Sequence, residues 1–412
     1  MSNGGHSGRP IHLCLTGGWF DSPNVGDNAL LLGIIESIGR AAPARFTVLT
    51  PDPARLGSLY GLPALAPRKH PIRLVGLLWS VDGLVFTGGS PFFDHVVHML
   101  YCAALAAVAR LAGVKVVVWA IWLRPLRNRL CRTLVRFICR RATYLSGRNA
   151  QTVKGLSELV GGEIPVEFVP DPATRLTPLP KEQARALLSE QGIEPGCKAV
   201  AICMRGFEAG AAFGVHHYDC RFSSEEVDAY LDAVRELVRT VLLKTDRTIL
   251  FLPMHTVEPD DDRIAAMAVV DGLESGTDRQ RVKVVIRQYQ AREMKAVLGL
   301  MDAVVGVRFH SLLLASSMGT PVISLSHASK NESIMDLIGQ REHLVRLQEV
   351  SGNWLSRHVL EVLSQQDRIR AALKERYAAF AVSYERHLSR MLTLIGASGQ
   401  QGPLSTELKL RP

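Results

Sequence analysis

Residues 303–325 read AVVGVRFHSLLLASSMGTPVISL, and this stretch decides the fold class. An apolar run at 303–306 ends in polar residues and leads into a helical pattern at 310–318. Gly319-Thr320-Pro321 then turns the chain into a second apolar run that ends at Leu325. Two short buried strands joined by a helix form a βαβ unit, so this stretch predicts a parallel α/β sheet.

The same alternation of short apolar runs and longer helical patterns extends over most of the chain. It predicts strands at 11–16, 46–49, 83–87, 115–120, 144–146, 166–169, 199–204, 248–252, 283–286, 303–306 and 321–325. It predicts helices at 28–38, 92–111, 181–191, 224–243, 261–270, 291–299 and 310–318. Because the motif DPATRLTPLP at 171–180 contains three prolines, we place a domain boundary there.

We therefore predict two doubly wound Rossmann-like domains that face a cleft. Open parallel sheets bind ligands beyond the carboxyl ends of their strands, so the cleft is the expected working site. The predicted organisation begins with a flexible tail at 1–10, an N-terminal domain at 11–175 and a C-terminal domain at 176–364. A helix at 365–396 that packs across both domains and a second tail at 397–412 follow.

Composition excludes several classes of protein. The chain has 412 residues, is 47% hydrophobic and carries a net charge of +9, so it is globular and attracts anions. Seven cysteines without a C-x-x-C pair argue against a disulfide framework or a zinc knuckle. Without an export signal or an apolar run of membrane-spanning length, a cytoplasmic location is expected.

Two glycine-bearing loops follow predicted strands in the first half. The first contains Gly17, Gly18, Asn24, Gly26 and Asp27, with Asp27 predicted as the N-cap of the next helix. Its spacing matches neither the dinucleotide fingerprint nor a Walker loop, so it either holds an anion or only starts a helix.

The second loop, at 87–95, contains Gly88, Gly89, Asp94 and His95. Paired glycines permit close approach of a ligand. Asp94 is a candidate for orienting an acceptor hydroxyl, and the alternative is that it only caps the following helix.

Arg308-Phe309-His310-Ser311 is the sharpest candidate site. An arginine and a histidine two residues apart at a strand-to-helix junction place a fixed cation and a titratable imidazole beside an anionic substrate. Phosphate or carboxylate chemistry is implied. The alternative is a surface arginine with a capping histidine.

Three further residues follow predicted strands and are candidates for the same cleft. His255, with the aspartates at 260–262 behind it, is a candidate acid or base, or else a bystander. Lys330 and Arg148 are candidate anion contacts, and for Lys330 a solvated side chain is the alternative.

Residues 124–141 contain seven arginines and no acid, with Arg129, Arg132, Arg136 and Arg140 on one stripe opposite Leu130, Leu134 and Ile138. This basic amphipathic helix fits an anionic membrane surface, a pyrophosphate-linked acceptor or an ordinary solvated face. Without an aromatic platform or a known motif, nucleic-acid binding is not expected. The stretch His216-His217-Tyr218-Asp219 lacks a compact ligand set, so no metal is expected.

Taken in order, these motifs resemble the polysaccharide pyruvyl transferase family over roughly residues 11–340. The matching stretches are 24–29 (NVGDNA), Gly88-Gly89 with Asp94, 148–156, 171–173 (DPA), His255 with its aspartates, and 308–316 (RFHSLLLAS) continuing to Lys330. The sequence departs from the family pattern at Ser90, at Asn149 and at 120–125.

The resemblance implies a glycosyltransferase-B-like fold, with the acceptor bound by the N-terminal domain and the donor by the C-terminal domain. It also implies transfer of pyruvate from phosphoenolpyruvate to two sugar hydroxyls, forming a ketal without a cofactor. The reactive arginine and histidine would be Arg308 and His310, and the upstream arginine Arg148. His255 or Asp94 would then deprotonate the sugar, with Asn24, Asp27, Gly88, Gly89, Lys330 and Ser311 in substrate binding.

A nucleotide-sugar glycosyltransferase is the main alternative, because the same two-domain layout serves those enzymes. They often hold the donor ribose with a carboxylate in the second domain. The predicted helix at 310–318 has no acid, and Glu332 comes only after the next strand, which disfavours this alternative. A catalytically silent protein that uses the basic helix at a membrane is the third class.

Overall fold

The structure is a computed structural model that describes residues 9–194, 196–207 and 222–397. Its contacts divide the chain into two units. The first comprises the residues up to Ser22, Asp27–Leu176 and the residues from Ala379 onwards. The second comprises Pro23–Gly26 and Thr177–Ala378.

The first unit contains a parallel sheet of seven strands in the order β3-β2-β1-β4-β5-β6-β7. The sequence order reverses between β1 and β4, which is a topological switch point of the kind that binds ligands in open α/β sheets. The strands are β1 Ile11–Thr16, β2 Ala44–Leu49, β3 Ala64–Leu65, β4 Gly83–Phe86, β5 Lys115–Ile121, β6 Tyr144–Gly147 and β7 Glu167–Phe168.

The helices that alternate with these strands are α1 Val25–Ala41, α2 Pro53–Tyr60, α3 Pro71–Leu78, α4 Val96–Leu111, α5 Arg129–Arg140 and α6 Ala150–Val160. The central strands β4 and β5 are almost wholly buried because helices cover both of their faces. Helices α3, α4, α5 and α6 share one apolar core against the sheet, so they form one layer on the same face.

The second unit contains a parallel sheet of six strands in the order β10-β9-β8-β11-β12-β13, with its switch point between β8 and β11. The strands are β8 Ala199–Cys203, β9 Thr248–Phe251, β10 Val282–Val284, β11 Ala303–Gly306, β12 Val322–Ser326 and β13 Leu344–Arg346. The helices are α7 Lys181–Ser189, α8 Ser224–Lys244, α9 Asp262–Asp271, α10 Ala291–Leu298, α11 Phe309–Ser317, α12 Ser329–Ile338 and α13 Gly352–Ser364. The last helix, α14 Gln366–Ile395, begins in this unit, and its residues from Ala379 onwards belong to the first unit.

The predicted fold class is confirmed, since both units are doubly wound parallel α/β structures. The prediction missed β3 and β13, which are two and three residues long. It also missed the helices α2, α3, α12 and α13. None of the described helices is long and apolar enough to cross a membrane.

Two predicted caps are wrong. Helix α1 begins at Val25, so Asp27 lies inside its first turn, and the Oδ1 atom of Asn24 accepts from the backbone N–H of Gly26 at 2.8 Å. Helix α4 is capped by His95, whose Nδ1 accepts from the backbone N–H of His98 at 3.1 Å. The alternative role of Asp94 as the cap of that helix is therefore wrong as well.

The basic helix α5 is amphipathic as predicted, but its buried stripe differs from the predicted one. Leu130 is 47% exposed, and the residues that face the core are Cys131, Val135, Ile138 and Cys139. Asn128 caps the helix by accepting from two backbone N–H groups, which fixes the first turn and the rotation of the helix.

Candidate active site

Polar residues follow the two strands that flank the switch point of the second sheet. Arg205 follows β8 by two residues and Arg308 follows β11 by two residues, and the two strands pair directly. His255 and the aspartates 260–262 follow the neighbouring strand β9. The second unit therefore brings the predicted residues Arg308 and His255 to the carboxyl edge of one sheet.

The guanidinium of Arg308 is buried and held by two carboxylates. Its Nη2 and Nε donate to Asp262 Oδ1 at 2.5 and 3.1 Å. Its Nη1 donates to Asp260 Oδ2 and its Nη2 to the carbonyl oxygen of Asp260, both at 3.0 Å. Since these four bonds use four of the five N–H groups, the orientation of the guanidinium plane is fixed.

Burial and charge act in opposite directions on this cluster. Burial raises the pKa of Asp262 to about 6, although Arg308 opposes the shift. Burial also favours the neutral form of Asp260, but Arg308 and Arg205 outweigh it and lower the pKa of that carboxyl. Burial alone would lower the pKa of Arg308, but the two carboxylates raise it by more than burial lowers it. The net shift of the pKa is therefore upward, and the guanidinium stays charged.

A second buried arginine extends the cluster. The Nε atom of Arg205 lies 3.3 Å from Asp260 Oδ1, and its Nη1 lies 3.3 Å from His327 Nε2. Burial lowers the pKa of His327 well below its usual value, with Lys330, Arg205 and Arg308 acting in the same direction. His327 is therefore neutral at pH 7, and Asp260 links two arginines.

The lowered pKa values of buried and half-buried histidines predict a loss of stability in mild acid. Unfolding returns each imidazole to a pKa of about 6.5, so the unfolded chain binds more protons and the free energy of unfolding falls as the pH drops below about 6.5. The histidines with lowered pKa are His12, His255, His327, His343 and His387.

Melting temperatures between pH 7.5 and 6 check this expectation. Asp262, whose pKa is raised to about 6, acts in the opposite sense near the lower end of that interval, so the test compares two proteins that both contain it. The variant His327→Asn should show a shallower decline than the native chain. An identical pH dependence in the two proteins would contradict the assignment of a neutral buried His327.

His310 lies in the first turn of α11 and packs against Gly26. A β-carbon at Gly26 would overlap the imidazole ring and Cβ of His310, so only glycine fits there. The segment Pro23–Gly26 is held against the second unit by two further bonds, from Val25 N–H to the Met254 carbonyl at 3.1 Å and from Gln288 Nε2 to the Pro23 carbonyl at 2.6 Å. The predicted residues Asn24 and His310 therefore belong to the same unit.

The remaining predicted residues of the second unit surround this cluster. The Ser311 hydroxyl is buried and donates to the Arg308 carbonyl at 2.6 Å, which ties Ser311 to the start of the helix.

Lys330 and His255 lie near the two buried arginines. Lys330 is partly exposed in the first turn of α12 and lies close enough to His327 to lower the pKa of His327. His255 Nδ1 lies 3.1 Å from the Asp260 carbonyl, and burial followed by Arg308 lowers the pKa of His255.

In the first unit, the two predicted glycine loops pack on each other beside the switch point of that sheet. A β-carbon at Gly88, where φ is +100°, would lie 2.5 Å from the Cα atom of Gly18. Gly88 is therefore required by the close approach of two backbones. Asp27 faces the same place, since its Oδ1 would lie 3.8 Å from a β-carbon at Gly89.

Arg148 is buried and forms an ion pair with Asp171 at 2.5 Å, where both side chains are about 5% exposed. Asp171 Oδ1 also accepts from the Ala173 N–H at 2.9 Å, so the motif DPA at 171–173 holds this carboxylate in place. Asn149 caps α6. These contacts fix the guanidinium of Arg148, and its substrate role stays a prediction.

Asp94 lies in an exposed loop and accepts from the backbone N–H of Arg127 at 2.6 Å and of Asn128 at 3.2 Å. It therefore joins the loop after β4 to the residues that start the basic helix α5. Its predicted role toward an acceptor hydroxyl stays a prediction.

Sequence reasoning missed Arg205 and His327, and it placed Asp260 and Asp262 only behind His255. Arg205 and His327 closely follow strands of the second sheet, and Asp260 and Asp262 lie where the loop after β9 leads into α9. This placement after strands was the available signal. Their pairing depends on β8 lying beside β11, which the order along the chain does not reveal. The stretch His216-His217-Tyr218-Asp219 lies outside the described residues. Within the described ranges, no group of three metal-binding side chains occurs.

The two doubly wound sheets define a protein of glycosyltransferase-B-like architecture. HepE from Anabaena, solved in complex with UDP-glucose, aligns with a TM-score of 0.58 and 12% identity over 93% of this chain and 100% of its own. The UDP-GlcNAc 2-epimerase from Methanocaldococcus jannaschii aligns with a TM-score of 0.59 and 16% identity over 93% of this chain and 99% of its own.

The chain belongs to the polysaccharide pyruvyl transferase family, whose sequence model matches residues 24–329. The matched segment includes Gly26, His255, Arg308 and His310. The amylovoran biosynthesis protein AmsJ from Erwinia amylovora is 25% identical over 133 residues, which are 32% of this chain. That match spans only 30% of the length of AmsJ.

Proposed function

We propose that this protein transfers pyruvate from phosphoenolpyruvate to two hydroxyls of a sugar, forming a cyclic ketal and releasing phosphate. The observation that carries the proposal is the buried Arg308 held by Asp260 and Asp262, with His310 two residues further along the same helix start. Both residues lie in the segment that matches the family model. The name of AmsJ supports a place in the biosynthesis of polysaccharides or glycoconjugates.

The electrostatics of this cluster suit a small anion with two charged groups. The fixed cations Arg205 and Arg308 and the partly exposed Lys330 outnumber the carboxylates Asp260 and Asp262. Arg308 and Lys330 also stand at the starts of α11 and α12, whose helix dipoles favour negative charge. A carboxylate and a phosphate on one donor molecule match this arrangement.

The proposed reaction begins with a proton transfer from the His310 imidazolium to the methylene carbon of phosphoenolpyruvate. The central carbon becomes electrophilic, and one sugar oxygen forms a bond to it as its proton passes to a base, for which His255 and Asp94 are the candidates. The carbon–oxygen bond to phosphate then breaks, and the second sugar oxygen attacks the same carbon. Of the two hydroxyl protons released, one restores His310 and the other leaves with phosphate.

The lowered pKa of His255 fits a base, because the neutral imidazole is the form that accepts a proton. The proposal gives Arg308, Lys330 and Arg148 the task of binding the donor and offsetting charge on the departing phosphate. Asn24, Asp27, Gly88, Gly89 and Ser311 remain proposed contributors to substrate binding. No cofactor enters the reaction as proposed.

Turnover of the variant His310→Gln tests the proton donor. General acid catalysis contributes roughly a hundredfold to ten-thousandfold, so we expect phosphate release from phosphoenolpyruvate in the presence of glycosides to fall by at least about a hundredfold. The melting temperature should change little, because glutamine keeps much of the volume. The variant His70→Gln alters an exposed histidine of the first unit and should retain full activity. A His310→Gln protein with most of its rate would remove this role.

Calorimetric titration separates the proposal from its rival, a glycosyltransferase that uses a nucleotide sugar. Phosphoenolpyruvate should bind the native chain, whereas UDP-glucose and GDP-mannose should not compete for the site. The structural relatives of this architecture include a protein solved with UDP-glucose, which is why that ligand is the sharpest comparison. Binding of a nucleotide sugar without binding of phosphoenolpyruvate would favour the rival function.

A further inference from the structure

The outer surface of the helix layer α3–α4–α5 in the first unit is unusual in composition. On α4, the exposed positions 97, 100, 104 and 111 are all apolar and form one stripe with the partly buried Val108. Val97, Leu100 and Leu111 are 65%, 49% and 81% exposed. The stripe is about 20 Å long at 1.5 Å per residue. A helix that is apolar on its exposed face as well as its buried face needs something other than water against it.

The neighbouring helix α3 extends this apolar surface. Ile72, Val75 and Trp79, spaced by three and four residues, are 86%, 45% and 59% exposed. Helix α3 packs against α4, and both contribute their other faces to the same core. An exposed tryptophan at the edge of an apolar surface is typical of proteins that sit at the boundary between lipid headgroups and acyl chains.

The charge around this apolar surface has one sign. Between residues 53 and 157 the sequence contains fifteen lysines and arginines but only two acids, Asp82 and Asp94. Asp82 is bound to Arg9, and Asp94 accepts from the backbone before α5. On α5, which packs against α4, the arginines 129, 132 and 136 are exposed and pair with no acid within the described ranges.

We propose that this surface, which we call the α3–α4–α5 face, binds the anionic surface of a lipid bilayer. The apolar side chains of α3 and α4 would enter the headgroup region while the arginines of α5 contact lipid phosphates. Charge complementarity selects this occupant over a second copy of the chain, because two such faces would bring like charges together. The proposal extends the predicted contact of the basic helix to two further helices and is independent of the proposed reaction.

Vesicle flotation tests the charged part of the face. The native chain should bind vesicles that contain phosphatidylglycerol and should not bind vesicles of pure phosphatidylcholine. Each arginine near an anionic surface contributes about 1 kcal/mol, or roughly fivefold, so Arg129→Glu/Arg132→Glu/Arg136→Glu should weaken binding by at least about a hundredfold. The control Lys374→Glu/Arg376→Glu/Arg386→Glu reverses three exposed charges on α14 and should bind normally.

A second pair of variants tests the apolar part. Ile72→Ser/Trp79→Ser should reduce binding by tenfold or more, whereas Leu243→Ser/Val382→Ser removes exposed apolar residues elsewhere and should not. Bromine-labelled acyl chains should quench the fluorescence of the native protein more than that of Trp79→Phe. Vesicle binding that depends on the arginines but not on Ile72 and Trp79 would overturn the proposed entry of apolar side chains into the headgroup region. Self-association lost in the same variants without any lipid effect would assign the face to a second copy.

Turnover with a water-soluble glycoside keeps the two proposals distinguishable. The variants of the α3–α4–α5 face should retain the native rate in that assay even where they lose vesicle binding. Loss of vesicle binding alone supports the lipid contact. A native chain that binds vesicles but shows no turnover would count against the proposed reaction, and the proposed lipid contact would remain supported.

Discussion

Replacing Gly26 by alanine is expected to lower turnover by about a thousandfold or more. The new methyl group would occupy the space of the His310 imidazole, so the ring has to leave its position at the start of α11. Displacement of a proton donor removes both its contribution and its alignment with the reacting carbon. Rate measurements with phosphoenolpyruvate and a glycoside acceptor, paired with thermal melts, check this expectation.

The same helix offers a matched control. Gly39 lies near the other end of α1, and a β-carbon there meets no atom within 4 Å. Gly39→Ala should keep full activity and gain about 0.5–1 kcal/mol of stability, because alanine is the better helix former. An active Gly26→Ala protein would show that the position of His310 against residue 26 is irrelevant to the reaction.

Replacing Arg308 by methionine is expected to have two separate effects. The buried carboxylate of Asp262 and the partly buried carboxylate of Asp260 would lose a cationic partner, and breaking a buried ion pair in this way costs about 3–5 kcal/mol of unfolding free energy. The removal of a fixed cation from an anion site should also lower turnover by about a thousandfold or more. Denaturant unfolding and turnover measure the two effects independently.

A triple variant separates stability from function. Arg308→Met/Asp260→Asn/Asp262→Asn removes the charges together, so most of the lost stability should return while activity stays absent. Arg287→Met is the control for loss of an arginine, because the Arg287 side chain is 43% exposed and its ion pairs with Glu190 and Glu293 contribute no more than about 1 kcal/mol. Recovered activity in the triple variant would show that Arg308 serves only the fold.

Much of the fold could be predicted from the sequence because buried parallel strands are continuous apolar runs. The run at 303–306 coincides with β11, and the run at 11–16 coincides with β1. The start of α1 could not be predicted, because Asn24 and Asp27 are both good capping residues, and the choice depends on Gly26 packing against His310. Local sequence carries no information about that distant contact.

In the candidate site too, some residues could be predicted from the sequence, whereas their contacts could not. Arg308 and His310 stand out because both lie at one strand-to-helix junction. The partners of Arg308 could not be assigned from the sequence, because Asp260 and Asp262 come from the segment that leads into α9 and meet it only once β9, β8 and β11 are placed side by side. The link from Arg205 to His327 likewise depends on the order of the strands.

The basic helix shows how a correct pattern can still give a wrong detail. The arginine stripe and the opposite apolar stripe predict a basic amphipathic helix, but they place Leu130 on the apolar side, and Leu130 is exposed. The cap at Asn128 and the anchoring of the preceding residues by Asp94 set the rotation of the helix, and they turn Leu130 outward. Exposure of the apolar residues of α3 and α4 became visible only in the folded unit.

The most direct test of the central claim is the product itself. The purified chain is incubated with phosphoenolpyruvate labelled in its carbon skeleton and with a panel of glycosides, and the sugars are analysed by mass spectrometry and carbon NMR. We predict a sugar that has gained pyruvic acid less one water, with the label in a ketal carbon and one phosphate released per ketal. Release of phosphate without label in any sugar, or no labelled sugar from any glycoside of the panel, would contradict the assignment.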